Sequence, residues 1–310
     1  AGLKEKPGTY HAGFLLGPRI NAGGRIGESD LGSRLLGTDD IGEATDIAHR
    51  LDELNRERRG IEAAVLDAAM DEAKKTGDDL GPLILVAAEE GWHPGVIGIV
   101  AGRLAERFNR PACVVALDGG KATGQGVGSG RSVSGVDLGA AVIAACQAGI
   151  LIKGGGHKMA CGFTVDSGRL EELRQFLGDR ISAHLGDGGI QPRLYLDGAM
   201  KPAAATMSLV EDLQQVGPFG SGNPEPRFVI PAARLSYAAV AGENHVRGTL
   251  TGEEGGRLAA ISFNSLDTPL GQALLKSDGA PLHVAGRLRV NTWKGHSKAQ
   301  LLIDDAAPAW

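Results

Sequence analysis

Gly154-Gly155-Gly156-His157-Lys158-Met159-Ala160-Cys161-Gly162-Phe163 sets three glycines and an imidazole against an apolar run. Three successive residues without a Cβ read as a tight turn whose backbone N–H groups can converge on an anion. A histidine straight after them can donate to the same oxygen or move a proton. The run at 160–165 reads as a short strand, which puts the turn at the edge of a sheet. Two readings stand here: a phosphate cradle, or a flexible turn whose histidine caps something.

Outward from this stretch the pattern alternates. Residues 83–88 and 112–117 are apolar runs of strand length, and 122–129 is a Gly-rich third strand. Residues 94–108 read as a helix with Pro94 in its first turn, and 137–148 as a helix capped near Asp137. A further helix covers 167–185. Upstream, Ile47, Leu51, Leu54, Ile61, Val65 and Ala68 recur at three- and four-residue steps and predict one helix over 41–76. At 1.5 Å per residue it spans roughly 50 Å, longer than a small domain, so it is expected to join two. Gly77-Asp78-Asp79 ends it.

Residues 186–189 read as a linker. Beyond them, β-like runs at 228–230, 234–240, 245–251, 257–263, 282–290 and 299–303 are interrupted by helical pieces near 203–216 and 267–276. That many short strands predict a small Greek-key barrel, with the OB-fold as first candidate.

The chain has 310 residues and 42% apolar content, enough for two or three folded domains. It shows neither a cationic-apolar leader nor a long apolar run, which argues against secretion and membrane insertion. Cys113, Cys146 and Cys161 are odd in number and widely spaced. They read as buried thiols in a reducing cytoplasm rather than a disulfide frame or a zinc site. The net charge is −5. Residues 1–80 hold 11 Lys and Arg against 16 Asp and Glu, so the whole excess lies there. The remaining two thirds are neutral and can still present local basic strips.

Four more clusters carry possible chemistry. Trp92-His93-Pro94-Gly95 stands at a helix start, where N–H groups and the macrodipole favour anions; alternatively His93 merely precedes a Pro-started helix. In Gly128-Ser129-Gly130-Arg131-Ser132 an arginine on a Gly/Ser stretch can fork onto a phosphate, or sit as an ordinary exposed side chain. Pro18-Arg19-Ile20-Asn21-Ala22 with Arg25 suits backbone-phosphate contacts, or capping and salt bridges. Gly217-Pro218-Phe219-Gly220-Ser221-Gly222-Asn223-Pro224-Glu225-Pro226 is a stiff loop, read as a structural connector at a barrel entrance. In the terminal domain Trp293, Tyr237 and Phe263 can stack bases, with Arg287, Arg289, Lys294 and Lys298 near in sequence. Core packing is the commoner fate for Phe263, whereas Trp293 lies on a Lys/Gly hairpin. There is no Walker A loop, no CxxC pair and no carboxylate or histidine cluster spaced for a two-metal centre.

These five motifs, in their order along the chain, resemble the RecJ-type single-strand-specific exonucleases of the DHH phosphoesterase superfamily, over essentially all 310 residues. Ala22-Gly23-Gly24-Arg25 departs slightly from the family's usual Ala-Ala-Gly-Arg. The resemblance implies an α/β DHHA1 domain, a mixed sheet with flanking helices, at 80–186. It implies a long connector helix at 41–79 before that domain and a β-barrel OB-fold domain at 191–310 after it. Residues 1–40 then correspond to the C-terminal end of a DHH domain. No Asp-His-His motif occurs, so the chain is expected to be a piece of the intact enzyme, inactive alone, with no metal ligands of its own.

In the intact enzyme the resemblance implies hydrolysis of single-stranded DNA from the 5′ end by a manganese or magnesium centre in the DHH domain. The catalytic roles carried over fall on His157 and Arg131. Phosphate and nucleic-acid contacts fall on His93, Gly95, Ser129, Gly130, Ser132, Gly155, Gly156, Arg19, Asn21, Arg25, Trp293 and Lys294. The partner is single-stranded DNA, without a membrane. Repair proteins such as a helicase or a single-strand-binding protein are admissible, and the chain is read as a monomer. Competing readings are a DHHA1-type phosphodiesterase for oligonucleotides or cyclic dinucleotides, and a non-catalytic nucleic-acid- or partner-binding module.

Overall fold

The computed structural model describes residues 2–3, 7–75, 81–88, 92–117, 124–185, 189–190, 192–220, 222–293 and 295–309. The expected helix stop at Gly77-Asp78-Asp79, the start of the 122–129 run, residues 186–188, Ser221 and Lys294 lie outside them. Two compact units divide at Pro192 and Arg193.

The first unit opens with a π-helical turn (His11–Leu16), then helices α1 (Gly17–Ile20), α2 (Gly23–Ile26) and α3 (Leu31–Gly37). Helix α4 (Ile41–Lys75) follows, 35 residues long. Its apolar stripe is used twice. Ile47, Leu51 and Leu54 bury against Ala22 and Leu31, whereas Val65, Ala69 and Ala73 join a second cluster further along.

Strands β1 (Ile84–Ala88), β2 (Ala112–Leu117), β3 (Gln125–Arg131), β4 (Leu151–His157) and β5 (Ala160–Asp166) form a sheet in the order β1-β2-β3-β5-β4. Only β1 and β2 run parallel, so the sheet is mixed, as expected. Period-two alternation divides it between two cores. In β2, Cys113, Val115 and Leu117 face helices α6 (Leu138–Gln147) and α7 (Leu170–Leu185). Ala112, Val114 and Ala116 face α5 (Pro94–Phe108) and the end of α4. The side chain of Asp137 caps α6 by accepting from the Ala140 amide at 2.9 Å.

Glycines at alternate positions of β3 let the first core close. A Cβ at Gly128 would stand 2.2 Å from the Phe163 ring, and one at Gly130 would stand 2.4 Å from Cys161 Sγ and 2.9 Å from Cys113 Sγ. The two thiols therefore meet over a glycine of the strand between them. Hydrogen bonding with Cys161 and complete burial hold the Cys113 thiol well above its ordinary value. Cys146 departs from the expectation of three buried thiols: it is half-buried, its Sγ 3.6 Å from the Gly154 carbonyl.

A larger correction concerns Gly154-Gly155-Gly156. They form no turn. They are the body of β4, paired with Phe163, Gly162 and Cys161 of β5, and the reversal falls on Lys158 and Met159. Three glycines are tolerated because a Cβ at Gly154 would meet Val142 at 3.0 Å and one at Gly156 would meet the Ala160 carbonyl oxygen at 2.3 Å.

In the second unit, β6 (Gly198–Ala199) and helix α8 (Met207–Gln215) precede β7 (Phe228–Ala241), β8 (His245–Gly252) and β9 (Gly255–Ser262). Helix α9 (Pro269–Leu275), β10 (Pro281–Trp293) and β11 (His296–Pro308) complete it. β7 pairs with β8 and with β10, β9 pairs with β8 and, in parallel, with β11, and β11 pairs with β10. Five strands thus close a barrel around Ile230, Leu250, Leu258, Val284 and Leu301. The runs at 228–230 and 234–240 are one strand. It bends where Ala232 and Tyr237 take positive φ, a conformation unusual for residues with a Cβ.

The stiff 217–226 loop is tied to this barrel. Glu225 accepts from Arg289 at 2.9 and 2.7 Å and from Arg287 at 3.4 Å. Asp304 accepts from Arg287 at 3.0 and 2.7 Å and from Arg227 at 2.7 Å.

Candidate nucleic-acid interface

The chemistry gathers at the N-terminal end of α5. His93 is the N-cap, its Nδ1 accepting from the Gly95 amide at 3.0 Å. With Nδ1 so engaged, the neutral ring carries its proton on Nε2, which is left to donate. Gly95 is needed for closeness, since a Cβ there would lie 1.9 Å from the Arg25 carbonyl oxygen. Arg25 in turn donates from Nη1 to the Gly95 carbonyl at 3.1 Å. One turn along, a Cβ at Gly98 would meet Ser129 Oγ at 2.9 Å and Arg131 Nη2 at 3.1 Å. Arg131 is held by Nη1, which donates to the Gly130 carbonyl at 2.9 Å and to Ser129 Oγ at 3.3 Å.

Ser129 and Arg131 point to the α5 side of the sheet because Gly128 and Gly130, which alternate with them, take the other side. Register carries that face across to the edge. Ser129 stands opposite Gly162, which stands opposite Gly155; Arg131 stands opposite Ala160, which stands opposite His157. At about 4.8 Å per strand, His157 is about 10 Å from Arg131 in the same row. The floor between them is made of Gly162, Gly155 and Ala160. A Cβ at Gly155 would meet nothing within 4 Å, and one at Gly162 only the Gly128 carbonyl oxygen at 3.9 Å. His157 is exposed, and its Nδ1 accepts from the Met159 amide at 3.3 Å, so it too offers Nε2–H. Capping and ligand binding are therefore compatible for both histidines.

Other expected residues fall elsewhere. Gly130 faces the α6–α7 core and serves packing, and Gly156, though exposed, leaves no room for a Cβ against the Ala160 carbonyl oxygen. Ser132 is 7% exposed and donates to the Val136 carbonyl at 2.9 Å, which fixes a loop instead of presenting a hydroxyl. Arg19 is paired with Asp52 at 2.7 Å, and its hydrogen bond holds that carboxyl below the usual carboxylate range. Asn21 is exposed beside it. Burial, then the charges of Arg58 and Arg131, lower Arg25 from its ordinary value, with Glu62 acting in the opposite sense. Three guanidiniums share one neighbourhood there. Composition hid this, because Arg58 and its neighbours look like a solvated helix face in a string of letters.

On the barrel, Trp293 is 72% exposed beside a depression of about 470 Å³ that Ala259, Asn291, Lys298 and Gln300 also line. Tyr237 is 79% exposed with the Arg257 guanidinium 6.0 Å from its ring centre, and Phe263 packs edge-on to His245 at 4.9 Å. Arg287 and Arg289 are not available cations, being committed to Asp304 and Glu225.

Among the described residues no group of three His, Cys, Asp or Glu side chains is placed to hold a metal ion. The donors at the α5 end are guanidiniums, a hydroxyl and two separated imidazoles. That set fits an anion and does not fit a divalent cation. Among the described residues, no helix is long and apolar enough to cross a membrane.

Comparison with known proteins follows the same division. Residues 81–183 match the family described as DHHA1 domain, and residues 196–305 the family described as RecJ OB domain. The single-stranded-DNA-specific exonuclease RecJ of Dickeya dadantii is 36% identical over 306 residues, 96% of this chain and 51% of that protein. The RecJ of Escherichia coli strain K12 is 34% identical over 312 residues, 98% of this chain and 52% of that protein. The chain spans about half the length of the curated relatives it matches. Among solved structures, RecJ of Thermus thermophilus in complex with Mn²⁺ superposes with a TM-score of 0.79 at 28% identity, over 97% of this chain and 42% of that one. The same protein in complex with Mg²⁺ gives a TM-score of 0.77.

Proposed function

The chain belongs to the RecJ family through its DHHA1 and RecJ OB domains, and from that premise we propose that it is the DNA-holding part of a 5′→3′ single-stranded-DNA exonuclease. The observation that carries this reading is the convergence of Arg25, His93, Ser129 and Arg131 around the first two turns of α5. A terminal phosphate dianion seated there meets two guanidiniums, a hydroxyl, an imidazole N–H and the positive end of a helix. The small-residue floor of Gly162, Gly155 and Ala160 lets a sugar-phosphate backbone lie flat towards His157, which donates to an oxygen or moves a proton. Residues 1–40, 41–79, 80–186 and 191–310 then serve as the edge of a metal-bearing domain, a connector, the DHHA1 domain and the OB domain.

Bond cleavage falls to a manganese or magnesium centre outside the residues described, since those present suit the phosphate and not the metal. The barrel grips the strand further along, with Trp293 as a stacking surface. An OB domain in addition to the DHHA1 domain suits a long strand better than a cyclic dinucleotide. The cysteines, none of them in a disulfide, suit a reducing cytoplasm.

The test is binding of 3′-labelled oligodeoxythymidine with and without a 5′-phosphate. The phosphorylated strand is expected to bind tighter, and Arg131→Gln to erase the difference. Equal affinity of the wild-type chain for both strands would sink the reading. In parallel, the chain is expected to release no nucleotide with manganese present, and release would show that it carries a complete cutting centre.

A further inference from the structure

The open face of the sheet carries three rows of residues across β3, β5 and β4. The phosphate seat and the floor take up two: Arg131, Ala160 and His157 in one, Ser129, Gly162 and Gly155 in the next. The third is Val127, Thr164 and Lys153, about 6.6 Å further along the strands at 3.3 Å per residue. Alternation fixes the side of each. A Cβ at Gly126 or Gly128 would meet Val165 or Phe163 in the first core, so Val127 between them points the other way. Phe163 and Val165 themselves lie in that core, which turns Thr164 to the open face. A Cβ at Gly154 would meet Phe163 and Val142, so Lys153 and Gly155 also take the open side.

Val127 is the unusual member of this row. β3 is the middle strand of five, where an apolar side chain is normally covered, yet Val127 is 46% exposed. Helix α5 approaches β3 through Gly98 at Ser129 and through Gly102 at Arg131, and it leaves Val127 open. At the other end of the row Lys153 is exposed, with no hydrogen-bond or ion-pair partner among the described residues. Asp166 is the one carboxylate that these strands place on this face, and it accepts from the Gly168 amide at 2.9 Å. Thr164, only 7% exposed, separates the apolar end of the row from the cationic end.

A nucleotide with its phosphate at Arg131 and its backbone running towards His157 occupies the first row. Its sugar then lies over Gly162 and Gly155, and the base, on the far side of the sugar, falls on the third row. There it meets an apolar surface for its ring and a donor for its edge. Lysine has N–H donors and no acceptor. It therefore pairs with O4 of thymine or O6 of guanine, where cytosine and adenine carry an amino group. We propose that Val127 and Lys153 seat the terminal nucleobase, Val127 against the ring and Lys153 Nζ donating to that keto oxygen. Strands that begin with thymine or guanine are then held tighter than strands that begin with cytosine or adenine. This deepens the reading that the terminal phosphate lies at Arg131, and it rests on that reading.

The experiment titrates the whole chain with three ligands by ligand-observed NMR: thymidine 5′-monophosphate, deoxycytidine 5′-monophosphate and 2-deoxyribose 5-phosphate, which has no base. The wild-type chain is expected to bind the thymidine nucleotide about threefold to tenfold tighter than the deoxycytidine nucleotide, the worth of one hydrogen bond. The sugar phosphate binds weakest. Lys153→Met, which keeps the stem and drops the donor, removes the difference between the nucleotides and leaves the sugar phosphate unchanged. Lys153→Arg retains the difference. Val127→Ser weakens both nucleotides and spares the sugar phosphate, whereas Arg131→Gln weakens all three ligands.

Equal or reversed affinity of the wild-type chain for the two nucleotides, with Arg131→Gln still impaired, overturns the base seat and leaves the terminal phosphate standing. A thymine preference that survives Lys153→Met overturns it as well. So does an equal loss of all three ligands in Lys153→Met, since that marks a charge effect on the phosphate. Wild-type binding of all three by Arg131→Gln, or no binding by the wild-type chain, overturns both readings.

Discussion

Cys113, Cys146 and Cys161 differ in reactivity because their neighbours differ. Cys113 and Cys161 close over Gly130 in an apolar core, where a reagent in solvent does not reach them. They sit on strands separated by β3, so their Cα atoms are about 9.6 Å apart, beyond the reach of a disulfide. An aromatic disulfide reagent is therefore expected to modify Cys146 alone in the native chain and all three thiols after denaturation; rapid native labelling of Cys113 contradicts this packing. Asp52 gives a pH signature at the same scale. Its carboxyl is held low by Arg19, so the stabilisation exists above the unfolded pKa of about 3.9 and disappears as pH falls through the lower folded value. Asp52→Asn is expected to lower the melting temperature slightly at pH 7, by the equivalent of no more than about 1 kcal/mol, and to make no difference near about pH 2. A uniform loss at both pH values would mean that the pair is not the cause.

Among the elements, glycines on opposite faces of the sheet have opposite meanings. Gly128→Ala forces a Cβ into the Phe163 ring and is expected to cost about 1–3 kcal/mol in urea unfolding. Gly155→Ala meets open space, so stability is expected to stay within about 0.5 kcal/mol while affinity for a 5′-phosphorylated strand falls. If both variants lose stability equally, the floor is not open. Here the sequence was half readable. The period of α4 and the capped starts of α5 and α6 stand in the letters, and the bounds of α5 and β2 match them residue for residue. The Gly154–Gly156 stretch misleads because glycine's usual message is a turn. Only its pairing with Gly162 and Cys161, which local pattern cannot report, makes it a strand. Ser132 misleads for a related reason: its acceptor, the Val136 carbonyl, lies round a loop. Arg287 and Arg289 look free because Asp304 and Glu225 are 17 and 64 residues away.

At the scale of the molecule, each unit has its own core and so its own basis for stability. Residues 193–310 expressed alone are expected to unfold in one cooperative step on heating; a broad, featureless melt would contradict a closed barrel. Glu225→Gln, which leaves Arg289 without its carboxylate, is expected to cost that unit about 2 kcal/mol and to do so less at high salt.

β11 has a further consequence for how the barrel is made. It is the last of the barrel's strands in sequence, yet it lies between β9 and β10 and touches both. As the chain leaves a ribosome, four strands emerge without the one that joins their free edges, and none can seal before residues 296–308 appear. Until then β9 and β10 expose unpaired backbone, the condition that invites wrong pairing. The barrel is thus a late and single event in synthesis, and chaperone dependence should concentrate in the interval before its final strand arrives.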